Sequence, residues 1–300
     1  MLILMLSDNM YYRPTTIEDA LDALSSSTAA VIAAGCTDLF PLTTAPQMTG
    51  HVLDVTGIKD MRGITDMGDI RRIGGATTWT DIVRADLPPA YDMLKLAARE
   101  IGSIQIQNVG TIAGNLCNAS PAADSIPCLL ALDASVELTS TAGRRQMLLS
   151  DFLLGPRKTM RQPDEIMTAI IIPKSAESGV SAFEKLGTRK YLIISIVMAA
   201  ARMVITDNRI TQAALSLGSC SPVAVRLHAV EQALIGTEID PASGLSASDL
   251  VVAADVEAVI NPIDDVRGSA SYRIQAATTL LHAAIDHCLI SATRQPESTA

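Results

Sequence analysis

Two stretches of the chain carry residue types that could do chemistry together. The first is Val31–Leu39, VIAAGCTDL; the second is Ile101–Leu132, IGSIQIQNVGTIAGNLCNASPAADSIPCLLAL. The second sets Gly102, Gly110 and Gly114 among Asn108, Asn115, Asn118 and small hydroxyl residues, then turns apolar, and for most of its length it shows little helical or strand periodicity. Glycine lets a backbone approach a ligand closely, and Asn, Ser and Thr add short donors and acceptors. In the first stretch a short buried strand over 29–34 is broken by Gly35-Cys36-Thr37-Asp38, and Leu39–Leu42 leads away. Strand, tight polar turn and new element is a layout in which turn amides point at an anion; an ordinary strand-ending turn has the same look. Neither stretch contains a lysine or arginine, so an anion bound here would rest on oriented amides and hydroxyls. We read the two stretches as halves of one site.

Other chemistries lack their signatures. The first strand is not followed by GxGxxG, and the chain contains no GxxxxGK[ST] and no nucleophile elbow. The four histidines, His51, His228, His282 and His287, lie away from the glycine stretches in sequence, and the last two are five residues apart, poor spacing for two ligands on one helix face. The five cysteines are scattered and never form CxxC, which argues against an intrinsic iron–sulfur or zinc site and for a reducing, cytoplasmic setting. A net charge of −9 and a pI near 4.9 disfavour nucleic acid and anionic membrane as partners. The most apolar run, Tyr191–Ala201, is far short of the roughly 20 residues of a spanning helix, and Met1–Leu6 lacks the basic start of a signal peptide. The mean hydropathy of +0.29 fits a large core and leans toward burial of some surface in an assembly.

The elements that must position these residues follow in order. Thr16 caps a helix whose face is Ile17, Ala20, Leu21 and Leu24. His51–Val55 and Arg72–Gly75 read as strands with turns over Gly57–Gly68 between them. A helix starts at Thr80–Ala85 with Thr80 or Asp81 as cap, and Ala90–Ile101 is an amphipathic helix stopped by Gly102. Pro127–Leu132 returns to helix, Ala134–Thr139 and Arg144–Leu149 form a hairpin, and Phe152–Arg161 is a basic loop. Glu165–Ile172 is a strand, and a boundary falls at Lys174–Gly179. Beyond it Ser181–Thr188 opens a second domain, and Tyr191–Ile205, Ile210–Gly218, a helix near Ala224–Leu234, a linker at Asp240–Ser248, helices at Ala247–Val259 and Ser271–Ile290, and a tail from Arg294 follow.

The motifs, taken in order, resemble one family. Ala34-Gly35-Cys36-Thr37-Asp38-Leu39 is similar to the first FAD loop of the medium subunits of the xanthine dehydrogenase and carbon monoxide dehydrogenase family, and Ile101–Asn115 resembles its second loop. Pro121-Ala122-Ala123-Asp124, Leu132-Asp133-Ala134, Gly155-Pro156-Arg157-Lys158-Thr159, the segment from Phe183 to Lys190, and Tyr272-Arg273 match later family motifs. The resemblance implies an α+β chain: a two-subdomain, vanillyl-alcohol-oxidase-like FAD-binding domain over 1–175 (subdomains about 1–57 and 58–175), then a C-terminal domain of a small antiparallel sheet with helices over 180–292. It implies FAD contacts at Ile32, Ala33, Ala34, Gly35, Cys36, Thr37, Asp38, Leu39, Ile101, Thr111, Gly114, Asn115, Asp124, Met167, Lys185 and Tyr191, with backbone amides of the first loop and of Thr111–Asn115 on the pyrophosphate, Asp124 on a hydroxyl-bearing part, Lys185 near the flavin ring and Tyr191 against its face.

Plainer readings stand beside these. Asp124 would also serve as a helix N-cap, Lys185 as a solvated strand-edge residue, and Tyr191 as core. The chain departs from the pattern at Cys36 and Ala113, where glycine is usual, and at Gln107, where arginine is usual. The resemblance implies an FAD-binding, electron-transferring oxidoreductase subunit, partnered by a small iron–sulfur subunit and a large molybdopterin subunit, that passes electrons to NAD or another acceptor. A flavin-free scaffold of such a complex, motivated by the altered glycines, and a stand-alone flavin oxidoreductase are the rival readings.

Overall fold

The computed structural model describes residues 9–27, 29–42, 50–189, 192–239, 246 and 250–294, and every statement below concerns these. The chain opens with β1 (Asn9–Tyr12), α1 (Ile17–Ser26), β2 (Val31–Ala33), α2 (Leu39–Leu42) and β3 (Gly50–Asp54). The strands form a parallel sheet in the order β1-β3-β2. Thr16 caps α1, its hydroxyl oxygen accepting from the Asp19 amide, and Ala20, Leu21 and Leu24 are buried, as the spacing predicts. The expected buried strand over 29–34 is shorter and only Ala33 in it is buried. β2 is a sheet edge, and Val31 faces a cavity instead of the core.

The next unit comprises β4 (Ile64–Asp66), β5 (Ile70–Gly74), α3 (Trp79–Arg84), α4 (Asp92–Glu100), α5 (Ile104–Val109), α6 (Ile112–Asn118), α7 (Ser125–Ala131), β6 (Ser135–Ser140), β7 (Gly143–Leu148), α8 (Leu149–Phe152), β8 (Leu153–Gly155), β9 (Lys158–Thr159) and β10 (Ile166–Pro173). Its main sheet is antiparallel, β4-β5-β10-β6-β7. Central β10 is buried from Ile166 to Ile172, so it reads as a mostly apolar run, broken only by Thr168, and not as an alternating one.

Several local expectations change. The turns expected at Gly57–Gly68 include β4, a three-residue strand between Gly63 and Gly68, whose φ values are 89° and 88°. The cap of α3 is Thr78, in a reciprocal capping box with Asp81. Most of the aperiodic stretch Ile101–Leu132 is helical, as α5, α6 and α7. Helices of six or seven residues span at most two turns, too few for periodicity to register. The basic loop Phe152–Arg161 follows α8, whose last residue is Phe152, and contains the two-stranded β8–β9 hairpin.

The last unit is an antiparallel sheet of β11 (Val180–Leu186), β12 (Val197–Thr206), β13 (Arg209–Gly218) and β14 (Val225–Arg226), in chain order, with α9 (His228–Leu234), α10 (Ala253–Glu257) and α11 (Ala270–Arg294). The linker expected at Asp240–Ser248 and the tail after Arg294 lie largely outside the described residues. Strand alternation sorts this sheet between two cores. Met198 and Ala200 pack with α4 and α7, whereas Val197, Ala199, Ala201 and Met203 pack with Ala277, Leu281 and Ile285 of α11.

Helix α7 is held at both ends by this sheet. Arg202 Nε donates to Ala131 O at 3.0 Å and Arg226 Nη1 donates to Leu130 O at 2.6 Å, so two guanidinium groups sit at its C-terminal carbonyls, where cations are favoured. At the other end lies Asp124.

Candidate functional site

The two glycine stretches touch. A Cβ on Gly35 would lie 2.0 Å from Val109 O and 2.7 Å from Gly110 Cα, both backbone atoms that cannot yield. Gly35 therefore answers to close approach, not to a positive φ. Cys36 is the residue in the left-handed region, with φ 55°, and its Sγ donates to Ala34 O at 3.4 Å.

Two cavities meet at this junction and share Ala34, Gly35, Cys36 and Thr111. One, of about 680 Å³, lies toward β1 and β3 and includes Ala33, Tyr11, Arg13 and Asp54. The other, of about 610 Å³, runs between the first loop and α6 and reaches β10; this volume is within the range of cofactor clefts. We take the second as the candidate site because its wall holds most of the residues singled out by sequence: Ile32, Ala34, Gly35, Cys36, Thr37, Asp38, Leu39, Ile101, Thr111, Gly114, Asn115 and Met167.

The donors on that wall fit an anion. The amides of Gly35, Cys36, Thr37 and Asp38 donate to no acceptor among the described residues, and the loop that carries them is half-buried, so they are available to a ligand in the cleft. The hydroxyl of Thr111 accepts from the Gly114 amide at 3.2 Å and keeps its own proton to donate. Asn115 Oδ1 accepts from Ser125 at 2.6 Å, which turns its NH₂ group outward from that bond. The amides of the second stretch are otherwise engaged. Ile112 N donates to Thr77 O, Ala113 N to Gly75 O and Asn115 N to Thr111 O, at 3.0, 3.0 and 3.1 Å. The first loop thus supplies main-chain donors and the second supplies side-chain donors and wall.

Neither departure from glycine fills the cleft. Ala113 lies inside α6 and has no positive φ, so alanine is at ease there. Cys36 bears the cost of a left-handed backbone but turns its sulfur to Ala34. Burial and the nearby Asp54 push its thiol up. Burial likewise pushes the Cys117 thiol up to about 11, against an opposing pull from Arg161. Neither cysteine is a reactive thiolate.

Asp124 and Lys185 come together, away from both cavity walls. Lys185 Nζ donates to Asp124 Oδ2 at 2.8 Å and Ser195 Oγ donates to Asp124 Oδ1 at 2.6 Å. Both charged side chains are 8% exposed. Asp124 makes no capping bond to α7, so the plain N-cap reading does not describe it, and Lys185 is not a solvated edge residue. Burial drives the Asp124 carboxyl above its ordinary range, and Lys185 opposes that shift. The Asn115–Ser125 bond links this buried cluster to the cavity wall. Tyr191 lies outside the described residues.

Sequence reasoning missed other wall residues: Gly75, Trp79 and Ile166. Gly75 had a visible signal in the Gly74-Gly75 pair after β5; its Cβ would meet Met167 O at 2.4 Å. Asn118, from the second stretch, and Arg161, at the end of the basic loop, also stand on this wall. Among the described residues the fold forms no cluster of His, Cys, Asp or Glu able to hold a metal, and no helix is long and apolar enough to cross a membrane.

Known proteins resemble this chain along most of its length. Residues 5–175 match the family described as the FAD binding domain in molybdopterin dehydrogenase, and residues 181–288 match the CO dehydrogenase flavoprotein C-terminal domain. The xanthine dehydrogenase FAD-binding subunit of Escherichia coli O157:H7 is 30% identical over 286 residues, covering 94% of this chain and 96% of that protein. The carbon monoxide dehydrogenase medium chain of Afipia carboxidovorans is 29% identical, over 92% and 95% of the two chains. A chain of the reconstituted CO dehydrogenase structure from Oligotropha carboxidovorans superposes with a TM-score of 0.84 at 28% identity, covering 96% of this chain and 99% of that one.

Proposed function

This chain belongs to the FAD-binding subunit family of the molybdopterin dehydrogenases, and we propose that it is the electron-carrying flavoprotein of such a complex, taking electrons from an iron–sulfur partner and passing them to NAD or another acceptor. The observation that carries the reading is the run of four amides, Gly35 to Asp38, that donate to no acceptor among the described residues, on the wall of a cavity that also holds Thr111 and Asn115.

In this reading the first-loop amides hold the diphosphate of FAD, and the Thr111 hydroxyl and Asn115 amide complete the donor set. Ile101 and Met167 give apolar surface to the rest of the dinucleotide. Bound there, FAD would supply the electron-carrying chemistry, which no side chain of this chain can supply. Asp124, fixed by Lys185 and Ser195, belongs to the support of the site behind its wall, reached through the Asn115–Ser125 bond. Molybdenum and iron–sulfur chemistry is assigned to the large and small partner subunits. We assign residues 1–175 and 180–292 to the two domains, a division that the two family matches support, and we place the protein in the cytoplasm.

The flavin-free scaffold loses its motive, because Ala113 is helical and Cys36 adopts the backbone a glycine would. The test is co-purification. The tagged chain, drawn from its native cells, is expected to bring down a small iron–sulfur and a large molybdopterin chain, with flavin that is reoxidised by NAD or a quinone after anaerobic reduction. A chain that comes down alone, or a complex whose flavin neither acceptor reoxidises, overturns this assignment.

A further inference from the structure

Asp38 is out of place on the wall of a cleft for a diphosphate. It lines the cavity, and its carboxylate has the sign of the ligand. The counter-charge comes from 119 residues further along the chain: Arg157 Nη1 lies 2.6 Å from Asp38 Oδ2. The same nitrogen donates to Asn118 Oδ1, and Asn118 is also a wall residue. The Arg157 amide donates to Ala119 O at 2.9 Å. Both chain segments bend sharply to meet, with φ 60° at Arg157 and 45° at Ala119. Arg157 is not itself on the cavity wall; it stands outside and ties two wall residues from behind.

Resting on the FAD reading above, we propose that Arg157 is a positioning residue that cancels the charge of Asp38 and keeps that carboxylate turned to the rim, so that the wall facing the ligand has the character of the Gly35–Asp38 amides. The alternative is a mechanical brace that only steadies the first loop. The two differ in what a second substitution does. If the charge matters, removing Arg157 bares Asp38, and removing Asp38 as well restores a neutral wall. If the brace matters, the double variant is as impaired as the single one.

The experiment is titration of the apo form of the full chain with FAD, followed by flavin fluorescence, for wild type, Arg157→Met, Asp38→Asn and the double variant. Arg157→Met is expected to bind FAD roughly tenfold more weakly at low salt, and the loss should shrink at about 0.5 M NaCl, where exposed charges are screened. Asp38→Asn, which leaves Arg157 without its carboxylate, should bind FAD more tightly than wild type, and the double variant should return to within about threefold of wild type, because charge effects cancel when both partners go. An Arg157→Met protein with unchanged affinity overturns the proposal. So does a double variant as weak as the single one, or a loss that salt does not reduce. Failure of the wild-type chain to bind FAD at all would instead remove the underlying assignment.

Discussion

The carboxylate of Asp124 and the ammonium of Lys185 form a buried ion pair at 2.8 Å, each side chain 8% exposed. It joins the later part of the second stretch, at the start of α7, to the first strand of the C-terminal sheet. Arg202 and Arg226 hold the other end of the same helix, α7. The helix that follows the candidate site is thus fixed by one sheet from both ends.

Removing one member of that pair leaves an uncompensated buried charge. Lys185→Met is expected to cost about 3 kcal/mol of folding stability, measured by urea unfolding. Asp124→Asn in the same chain should recover much of the loss, because two neutral groups need no counter-charge. A Lys185→Met protein within about 1 kcal/mol of wild type would show that the pair is not fixing α7.

Glu177 gives the pH dependence. It accepts from Tyr91 at 2.7 Å and Lys174 at 2.9 Å, and from Arg71 through both Nε and Nη2. These donors hold its carboxyl at about 2, against the opposing effect of burial. The folded value lies below the unfolded one, so the contribution is present above roughly pH 4.3 and is lost as pH falls toward the folded value. Wild type should lose on the order of 2 kcal/mol through this window that Glu177→Gln does not lose. Parallel stability curves for the two proteins between pH 5 and 2 would contradict the assignment.

Gly35 tests the contact between the stretches. Gly35→Ala forces a Cβ against Val109 O, so the loops must separate. FAD affinity is expected to fall more than about tenfold, with a lowered melting temperature. A variant that binds FAD as wild type does would show that the close approach is dispensable.

The two departures from glycine should respond oppositely. Cys36→Gly relieves a left-handed backbone and should stabilise the chain by about 1 kcal/mol. Ala113→Gly puts glycine into α6 and should destabilise by roughly 0.5–1 kcal/mol without tightening FAD binding. Denaturant midpoints for both variants check the signs.

Much of the fold is legible in the sequence where a signal is local and long enough. The cap at Thr16, the stop at Gly102 with φ 59° and the β6–β7 hairpin all stand where residue types put them. The first cradle is legible because Gly35–Asp38 interrupts an apolar run. The second is read as irregular because its helices are too short to repeat. The pairing of Asp124 with Lys185 spans 61 residues, and the salt bridge of Arg157 with Asp38 spans 119. No window of sequence carries such pairings; they exist only once the sheets have brought the segments together.

The central claim is that this chain holds FAD in the cleft between its two glycine stretches, and the direct measurement is the flavin released by acid from the purified chain, identified and counted against protein. One FAD per chain, restored to the apo protein by FAD and strongly reduced in Gly35→Ala, is the predicted result. A colourless chain that takes up no FAD, or one whose Gly35→Ala form keeps its full complement, would contradict it.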